Sequence, residues 1–515
     1  MSSPLPPPGR PVPATTVDAG PDGPSERIGG PRVAVDEELV GRLGDVCDTV
    51  SSGLDDRAAA GRDWWPAAIR WAAAGQVPAL PAVVARPADT AQVAAVLALC
   101  HQARVPVTAT AGRSGVCGAS IPVFGGVALD LCGLAGLVDL DDTSLLADLR
   151  AGTFGPDVEQ AVRHQGTTVG HWPQSMELST VGGWVACRGA GQLSTRYGKI
   201  EDMVAGLEVV LADGQVIHTG GAGPRQAVGP DLTQLFVGSE GTLGIVTRAL
   251  LRLHPVPAGQ AQRAVGFPDF AAGLNACRRI LRRGATPAVL RLYDATETAR
   301  SFALSDTCAL IVLDEADPAL LSATMAVVDD ETLGAGAAEL DPALIDRWLA
   351  HRNDVSALVP LTRGGVVVDT IEIAGRWAVL PTLYRRCVDA LQARPGTLAA
   401  SAHQSHAYSD GACLYFTFAG RHPDGLSDPG DPDADAWAEQ YYLGAWQAVL
   451  DEVLAAGAAI SHHHGIGLNR ARFVAPALGA AAAVHVSIKQ ALDPRGILNP
   501  GKLGLPSPFG EVPWP

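Results

Sequence analysis

Apolar residues fall along the chain in two rhythms, one helical and one alternating. From Glu37 to Ala74 they recur at helical spacing and include Trp64, Trp65 and Trp71, which reads as a helical stretch. Ala82-Val-Val-Ala-Arg-Pro then reads as a short β-branched strand and Pro87 to Cys100 as a helix. Asp89 or Thr90 can cap that helix, and Val93, Val96, Leu97 and Cys100 share one of its faces. Val105-Pro-Val-Thr-Ala-Thr follows as a strand and completes a strand–helix–strand unit. Val127-Ala-Leu-Asp-Leu and Leu146-Ala-Asp-Leu-Arg-Ala are further strands, and Phe154 to His164 is a helix starting behind Pro156-Asp157. Val204 to Ile217 holds two strands about the turn Ala212-Asp-Gly-Gln, Ile245 to Leu253 closes the series, and His254-Pro-Val-Pro marks a boundary.

From about Ala264 to Gly457 longer amphipathic helices alternate with strands, among them Ala309-Leu-Ile-Val-Leu, Gly365-Val-Val-Val-Asp and Cys413-Leu-Tyr-Phe-Thr-Phe. Asp424 to Asp435 reads as an acidic surface loop, and Tyr441 to Ala456 as a helix leading into His462-His463-His464. The final Pro-x-Gly segments read as coil folding back on the first unit. Met1 to about Arg32 holds nine prolines and no apolar run long enough for export, which reads as a disordered leader. The expected layout is a leader over 1–34, a first domain over 35–257, a second over 258–460 and a returning segment over 461–515. No later stretch reads as the roughly 18 apolar residues that span a bilayer, so no integral membrane segment is expected.

Composition narrows the classes. The 515 residues, 47% apolar, are enough for two or three domains. A net charge of −16 argues against nucleic acid as a partner, because no basic stripe exists to displace counterions. Nine cysteines without CxxC spacing read as free thiols of a reducing cytoplasm. Richness in Ala, Gly, Pro and Arg with few Lys fits a high-GC bacterial source.

The stretch Trp172 to Asp202 departs from ordinary core texture. Gly182, Gly183, Gly189, Gly191 and Gly198 stand among small and hydroxyl residues, a composition that lets backbone wrap a flat, phosphate-bearing molecule. No G-x-G-x-x-G follows the first strand, which disfavours the nicotinamide-dinucleotide fold. No G-x-x-x-x-G-K-[ST] is present either, which disfavours a nucleoside triphosphatase.

The blocks P-Q-S-M-E-L-S-T-V-G-G-W and S-T-R-Y-G-K-I-E-D resemble the flavin-binding core of the alkyldihydroxyacetonephosphate synthase branch of the vanillyl-alcohol-oxidase type flavoproteins. The resemblance continues in order through Ala109 to Gly118, Phe236 to Val246, Leu290 to Asp294, Gly411 to Phe418, Ser461 to Gly467 and Leu492 to Leu503. It implies an α+β fold, a two-part PCMH-type FAD-binding domain with an α/β substrate cap. The family cradles the flavin diphosphate at the loop Ala109, Thr110, Ala111, Gly112, Arg113, Ser114, Gly115, where Arg113 interrupts the usual run of glycines. That guanidinium can pair with a phosphate or point to solvent. Further implied flavin contacts are Gln174, Ser175, Met176, Glu177, Leu178, Ser179 and Thr180, then Gly182, Gly183, Cys187, Arg188, Gly189 and Ala190, and finally Glu240, Gly241, Thr242, Leu243, Gly244, Ile245 and Val246. The loop holds no histidine, and Cys117 is not at an attachment position, so non-covalent FAD is expected.

The resemblance places Tyr415 and the triplet His462, His463 and His464 in the active site, and Arg291 near the substrate's anionic group. On an extended strand alternate residues point oppositely, so at most His462 with His464, or His463 alone, is expected to face the flavin. A histidine of near-neutral pKa beside a phenol suits proton abstraction. His403-x-x-His406 with the triplet offers metal donors by count, but Tyr415 and the histidine run stand where related dehydrogenases place zinc ligands, so no metal is expected. The synthases also carry a second arginine before Val368-Asp369-Thr370. Here Ser356-Ala-Leu-Val-Pro takes that place, flanked by Arg352 and Arg363.

The leading expectation is an FAD-dependent oxidoreductase taking a hydride from a hydroxylated, anionic small molecule to flavin N5. An alkyldihydroxyacetonephosphate synthase, exchanging acid for alcohol without net redox change, is the alternative. A flavin-holding protein without turnover is the third. The family further implies a homodimer.

Overall fold

In the computed structural model, which describes residues 17, 19, 20, 23–354 and 358–514, the β-branched runs pair into three main sheets. Val127–Asp130 lies between Val83–Arg86 and Val107–Thr110, parallel to both, with Thr49–Ser51 antiparallel at the edge. The helix Thr90–Ala103 makes the crossover, and Asp89 caps it by accepting the Gln92 N–H at 2.9 Å. The second sheet is antiparallel, in the order Val216–Gly220, Val204–Val210, Ile245–Arg252, Leu146–Arg150, Leu137–Asp141.

The third sheet positions the chemistry. Its seven antiparallel strands run Ala338–Leu340, Gly259–Phe267, Cys308–Ala316, Val289–Tyr293, Thr397–Ala407, Gly411–Gly420, Val367–Arg376. Alternation separates its two faces. Leu290, Leu292, Leu414, Phe416, Phe418, Ile371 and Ile373 are buried in one core with residues of the helices Phe270–Arg282, Leu380–Gln392 and Pro432–Ala455. The intervening Arg291, Tyr293, Tyr415, Thr417, Thr370 and Glu372 are thereby turned to the opposite face.

Mixed helices and paired strands make this an α+β protein, as expected, but several elements differ from their sequence reading. The stretch 37–74 is not one helix. It divides into Glu37–Val46, the strand Thr49–Ser51, Leu54–Ala60 and Pro66–Ala73, because Gly53, Gly61 and Pro66 interrupt it. The acidic loop ends early, at Asp431, whose side chain accepts the Asp433 and Ala434 N–H groups and starts the long helix at Pro432. Most of the proline-rich leader lies outside the described residues. Its last part is docked, with Ser25–Glu26 paired to Gln76–Val77 and Ile28 buried.

The segment Ala471–Leu492 lies between the histidine triplet and the final Pro-x-Gly coil. It is helical, as Ala471–Leu478, a 3-10 turn at Gly479–Ala481 and Ala482–Leu492. An 18-residue window within its 22 residues has a mean hydropathy of 1.4 with 11% of it buried, so it is long and apolar enough to cross a membrane by length and composition only, while Pro476 and the 3-10 turn interrupt it. Alanine hides it from a periodicity reading, since it contributes little contrast between helix faces.

Beyond that segment the chain returns to the first sheets, as read: Val107 bridges Leu498 and donates to the Ile497 carbonyl at 2.8 Å. Buried Lys489 anchors this return, donating to Asp493 at 2.6 Å and to the carbonyls of Thr242 and Leu498 at 2.7 and 2.8 Å. Lys489→Met leaves the Asp493 carboxylate buried without its cation, and we expect a loss of about 3 kcal/mol or more. The measurement is the thermal midpoint, and adding Asp493→Asn is expected to recover part of the loss. An unchanged midpoint in the single variant refutes the assignment.

Candidate functional site

Register sets a row of polar side chains across four strands. Tyr293 pairs with His403, His403 with Tyr415, and Tyr415 with Glu372. Glu372 is fully buried and accepts from Ser461 Oγ at 2.8 Å, from the His464 N–H at 3.0 Å, from the His462 N–H in a short contact and from Arg470 Nη1 at 2.8 Å. Burial works against its charge, but Arg470 first and then the imidazoles hold its pKa well below the usual carboxylate range. Arg470 is itself fully buried, and its guanidinium lies 5.0 Å from the Trp446 ring centroid.

Curled around one carboxylate, residues 461–464 are not a strand, so the alternate pointing assumed for the triplet does not hold and all three imidazoles lie in one cluster. His463 Nε2 is 2.7 Å and His464 Nε2 3.2 Å from the Tyr415 hydroxyl, while His462 and His463 meet through their Nδ1 atoms at 2.8 Å. His462 Nε2 is 3.0 Å from Tyr408 Oη, which is 3.1 Å from Ser194 Oγ. Desolvation lowers all three imidazoles, to about 3 for His462 and His463 and about 4 for His464, so the expected near-neutral pKa is also corrected. Burial pushes the Tyr415 phenol well above its ordinary value. The cluster is neutral at physiological pH.

A β-bulge adds two more histidines. The register shift between Gln404 and His406 lets two residues three apart serve one side of the sheet. His406 comes within 4.8 Å of His463, ring to ring, and His403 stacks on Tyr415 at 4.9 Å. One donor atom each from His406, Cys413, His462 and His463 lies within 4.8 Å of the others, a group able to hold a metal ion. His403 is not part of it. Arg291 reaches the site through His403, donating from Nη2 to His403 Nε2 at 2.6 Å and from Nε to Tyr293 Oη at 2.8 Å.

The four stretches read as flavin contacts converge on this cluster. A Cβ on Gly112 would lie 1.8 Å from the Leu178 carbonyl oxygen, so the 109–115 loop can press on the 174–180 turn only with glycine there. Gly241 lies against Ala109, and the Glu240 N–H donates to the Ala186 carbonyl at 2.9 Å. The Glu240 carboxylate accepts from the N–H groups of Ile466 at 2.6 Å and Gly467 at 3.0 Å, and so joins these stretches to the histidine segment. Thr180 caps the helix Val181–Cys187, whose Trp184 donates to Ser179 Oγ at 2.7 Å. Gln174 and Glu177 are exposed on their turn, and Leu243, Ile245 and Val246 have their side chains in cores.

Buried polar atoms without a partner among the described residues mark what the site lacks. Arg113 is 5% exposed, holds a φ of +55°, and has unpartnered Nε and Nη2 atoms at the loop read as the diphosphate cradle. Thr110 Oγ1, both ring nitrogens of His171, both amide atoms of Asn469 and Asn499 Oδ1 are likewise unpartnered. Such groups are rare in folded proteins, and Arg113 and Thr110, which lie in the first of the four stretches, have donors that fit a polar, phosphate-bearing cofactor. His171, Glu372, Asn469 and Arg470 escaped the sequence reading. The one available signal was Glu372, a charge set between Ile371 and Ile373 in an apolar strand.

Comparison with known proteins agrees with this geometry. Residues 81–220 match the FAD binding domain family and residues 256–503 the C-terminal domain of FAD linked oxidases. An FAD-linked oxidoreductase of Escherichia coli is 30% identical over 449 residues, covering 82% of this chain and 89% of that one. Alkyldihydroxyacetonephosphate synthase of Dictyostelium discoideum is 28% identical, covering 83% and 74%. The glycolate oxidase subunit GlcD of Bacillus subtilis is 29% identical, covering 83% and 90%. Among solved structures, an alkyldihydroxyacetonephosphate synthase superposes with a TM-score of 0.74 at 24% identity, covering 95% of this chain and 87% of that one. p-Cresol methylhydroxylase gives 0.74 at 18%, covering 92% and 98%, and so shares the fold. With these four stretches folded together against a histidine–tyrosine cluster, the chain belongs to the FAD-linked oxidoreductases and is an FAD-dependent enzyme.

Proposed function

We propose that this enzyme removes a hydride from a hydroxylated carbon of a small anionic molecule, with FAD held non-covalently as the acceptor. The observation that carries this reading is the neutral cluster of Tyr415, His463 and His464 beside Arg291, a base and a cation in one pocket. The name of the glycolate oxidase relative, a 2-hydroxy-acid enzyme, points the same way.

When bound, FAD supplies the two-electron acceptor. The chain's residues supply the proton path, and the tautomers that let it accept a proton at Tyr415 run outward from that residue. Tyr415 donates its O–H to His463 Nε2, and His463 donates from Nδ1 to the bare Nδ1 of His462. His462 then donates from Nε2 to Tyr408 Oη, and Tyr408 to Ser194 Oγ. A substrate hydroxyl that gives its proton to Tyr415 Oη as Tyr415 passes its own to His463 Nε2 leaves the one added proton on the His463–His462 pair, where the buried Glu372 carboxylate favours it. Arg291 holds the anionic group and orients the C–H bond.

Non-covalent attachment is supported by the thiols nearest the cofactor stretches. Burial raises Cys117 and Cys187, Cys187 to about 12, so neither is a nucleophile at neutral pH. Acid precipitation is expected to release the yellow chromophore into the supernatant, and colour retained in the pellet refutes the reading.

Under anaerobic conditions a panel of 2-hydroxy acids and hydroxylated phosphates is expected to contain a compound that bleaches the flavin. Tyr415→Phe is expected to slow that bleaching by about 10²–10⁴-fold with FAD content unchanged. Labelled alcohol incorporated into an ether product, without bleaching, supports alkyl exchange instead, the activity named for the synthase relative.

The pH profile is a separate check. Protonating an imidazole removes the acceptor that Tyr415 needs, so the rate falls as pH falls, and the depressed values put that limb near pH 3–4. The bleaching rate is expected to be flat from about pH 5 to 9. An acid limb near 6.5, the ordinary histidine value, overturns the assignment of these imidazoles.

A further inference from the structure

Arg291 has an unusual set of partners for a half-buried guanidinium. Its two hydrogen bonds go to a phenol oxygen and an imidazole nitrogen, and among the described residues it makes no ion pair. The compensating charge lies one ring further on. His403 Nδ1 is 2.7 Å from Glu297 Oε2, and Glu297 Oε1 accepts from Thr417 at 2.8 Å, Ser401 at 3.1 Å and Arg300 at 3.2 Å. Glu297 is buried in the first turn of the helix Ala295–Phe302, where Asp294 accepts its backbone N–H, so its carboxylate has a fixed place.

These contacts allow one tautomer. Arg291 is a donor only, so His403 Nε2 must be bare, and the single ring proton sits on Nδ1 facing Glu297. We propose that Glu297 and His403 form a positioning pair: the carboxylate locks the imidazole so that its bare nitrogen holds the Arg291 guanidinium, which stays charged and open to an anionic group of the substrate. A direct Arg291–carboxylate pair would cancel the charge the site needs. With the countercharge one imidazole away, the cation is held in place and still free to bind. The inference rests on the reading of Arg291 as the substrate's anchor. Desolvation first, and then Arg291, keep His403 below the ordinary histidine value, against the pull of Glu297.

His403 also stacks at 11° on the Tyr415 ring, so the same lock sets the plane of the phenol that takes the substrate proton. Pair, cation and phenol are therefore one mechanical unit, built on adjacent strands and the helix that follows Tyr293.

The test uses FAD-loaded enzyme titrated with oxalate, a dianion that cannot be oxidised by hydride loss, read from the flavin difference spectrum. Oxamide is the neutral control. Wild type is expected to bind oxalate and not oxamide, and Arg291→Met to lose oxalate binding. In Glu297→Gln the amide N–H₂ can face His403 Nδ1, moving the ring proton to Nε2, where it opposes the Arg291 donor. Oxalate affinity is expected to fall about tenfold or more, the scale of one charge-assisted hydrogen bond, with FAD content and thermal midpoint retained. Glu297→Asp keeps an acceptor-only carboxylate and is expected to recover most of the affinity, a rescue that a packing role does not give. His403→Gln, with an amide oxygen able to accept from Arg291, provides a second route should Glu297→Gln lose its FAD. It is expected to bind oxalate far better than His403→Leu. Oxalate affinity in Glu297→Gln equal to wild type, or equal loss in His403→Gln and His403→Leu, overturns the pair alone. A wild type that binds no oxalate, or an Arg291→Met variant that binds it normally, overturns the anchor reading and the pair with it.

Discussion

One buried carboxylate organises the reactive end of this protein. Glu372 has no exposure to water and would be strongly unfavourable if left alone. It is stable because Arg470 supplies a cation and because two backbone N–H groups and a hydroxyl from residues 461–464 close around it. Three consecutive histidines cannot share one cavity in extended backbone. They share it here because the segment is wrapped around an acceptor with several lone pairs.

A second carboxylate repeats the device on the cofactor side. Glu240 takes the next two free amides of the same segment, Ile466 and Gly467, and its own backbone carbonyl accepts from Asn499. A Cβ on Gly465 would meet Glu240 Oε1 at 2.5 Å, and the residue sits at φ +79°, so glycine is required between the two anchors. The chain from Ser461 to Gly467 is therefore fastened at one end to the seven-stranded sheet and at the other to the stretches read as flavin contacts. The histidine cluster and those stretches are thus held in register by two carboxylates.

What was legible in the sequence and what was not divides along the range of the interactions. Strands such as Ala309–Leu313 and Cys413–Phe418 announce themselves by local β-branched and aromatic runs. Tyr415, Arg291 and the triplet stand in blocks recognisable at a distance. The strand order is not legible, since Val367–Arg376 joins the sheet at its far edge through pairing with Gly411–Gly420, a contact between segments some forty residues apart. Nor is the bulge at Gln404–His406, without which His403 and His406 would face opposite sides. The pKa values failed for the same reason. Composition predicts an ordinary histidine, and only the assembled cavity shows how far desolvation depresses each one.

The electrostatics of the site run against those of the whole chain. With 54 acidic and 38 basic side chains the surface repels anions at long range. On the function proposed, capture of an anionic group must then come from short-range contacts inside the buried site, where water screens them less. Neutral histidines are useful in such a place. Three imidazolium ions beside Arg291 and Arg470 would repel one another and would hold no lone pair for a proton. As neutral rings they cost less to bury than imidazolium ions and leave Arg291 as the cation that the proposed function assigns to the substrate. They also form a continuous chain of donors and acceptors from Tyr415 to Ser194. Desolvation of the histidines, which viewed singly looks like a penalty, is what lets one pocket offer a fixed positive charge and an uncharged base side by side.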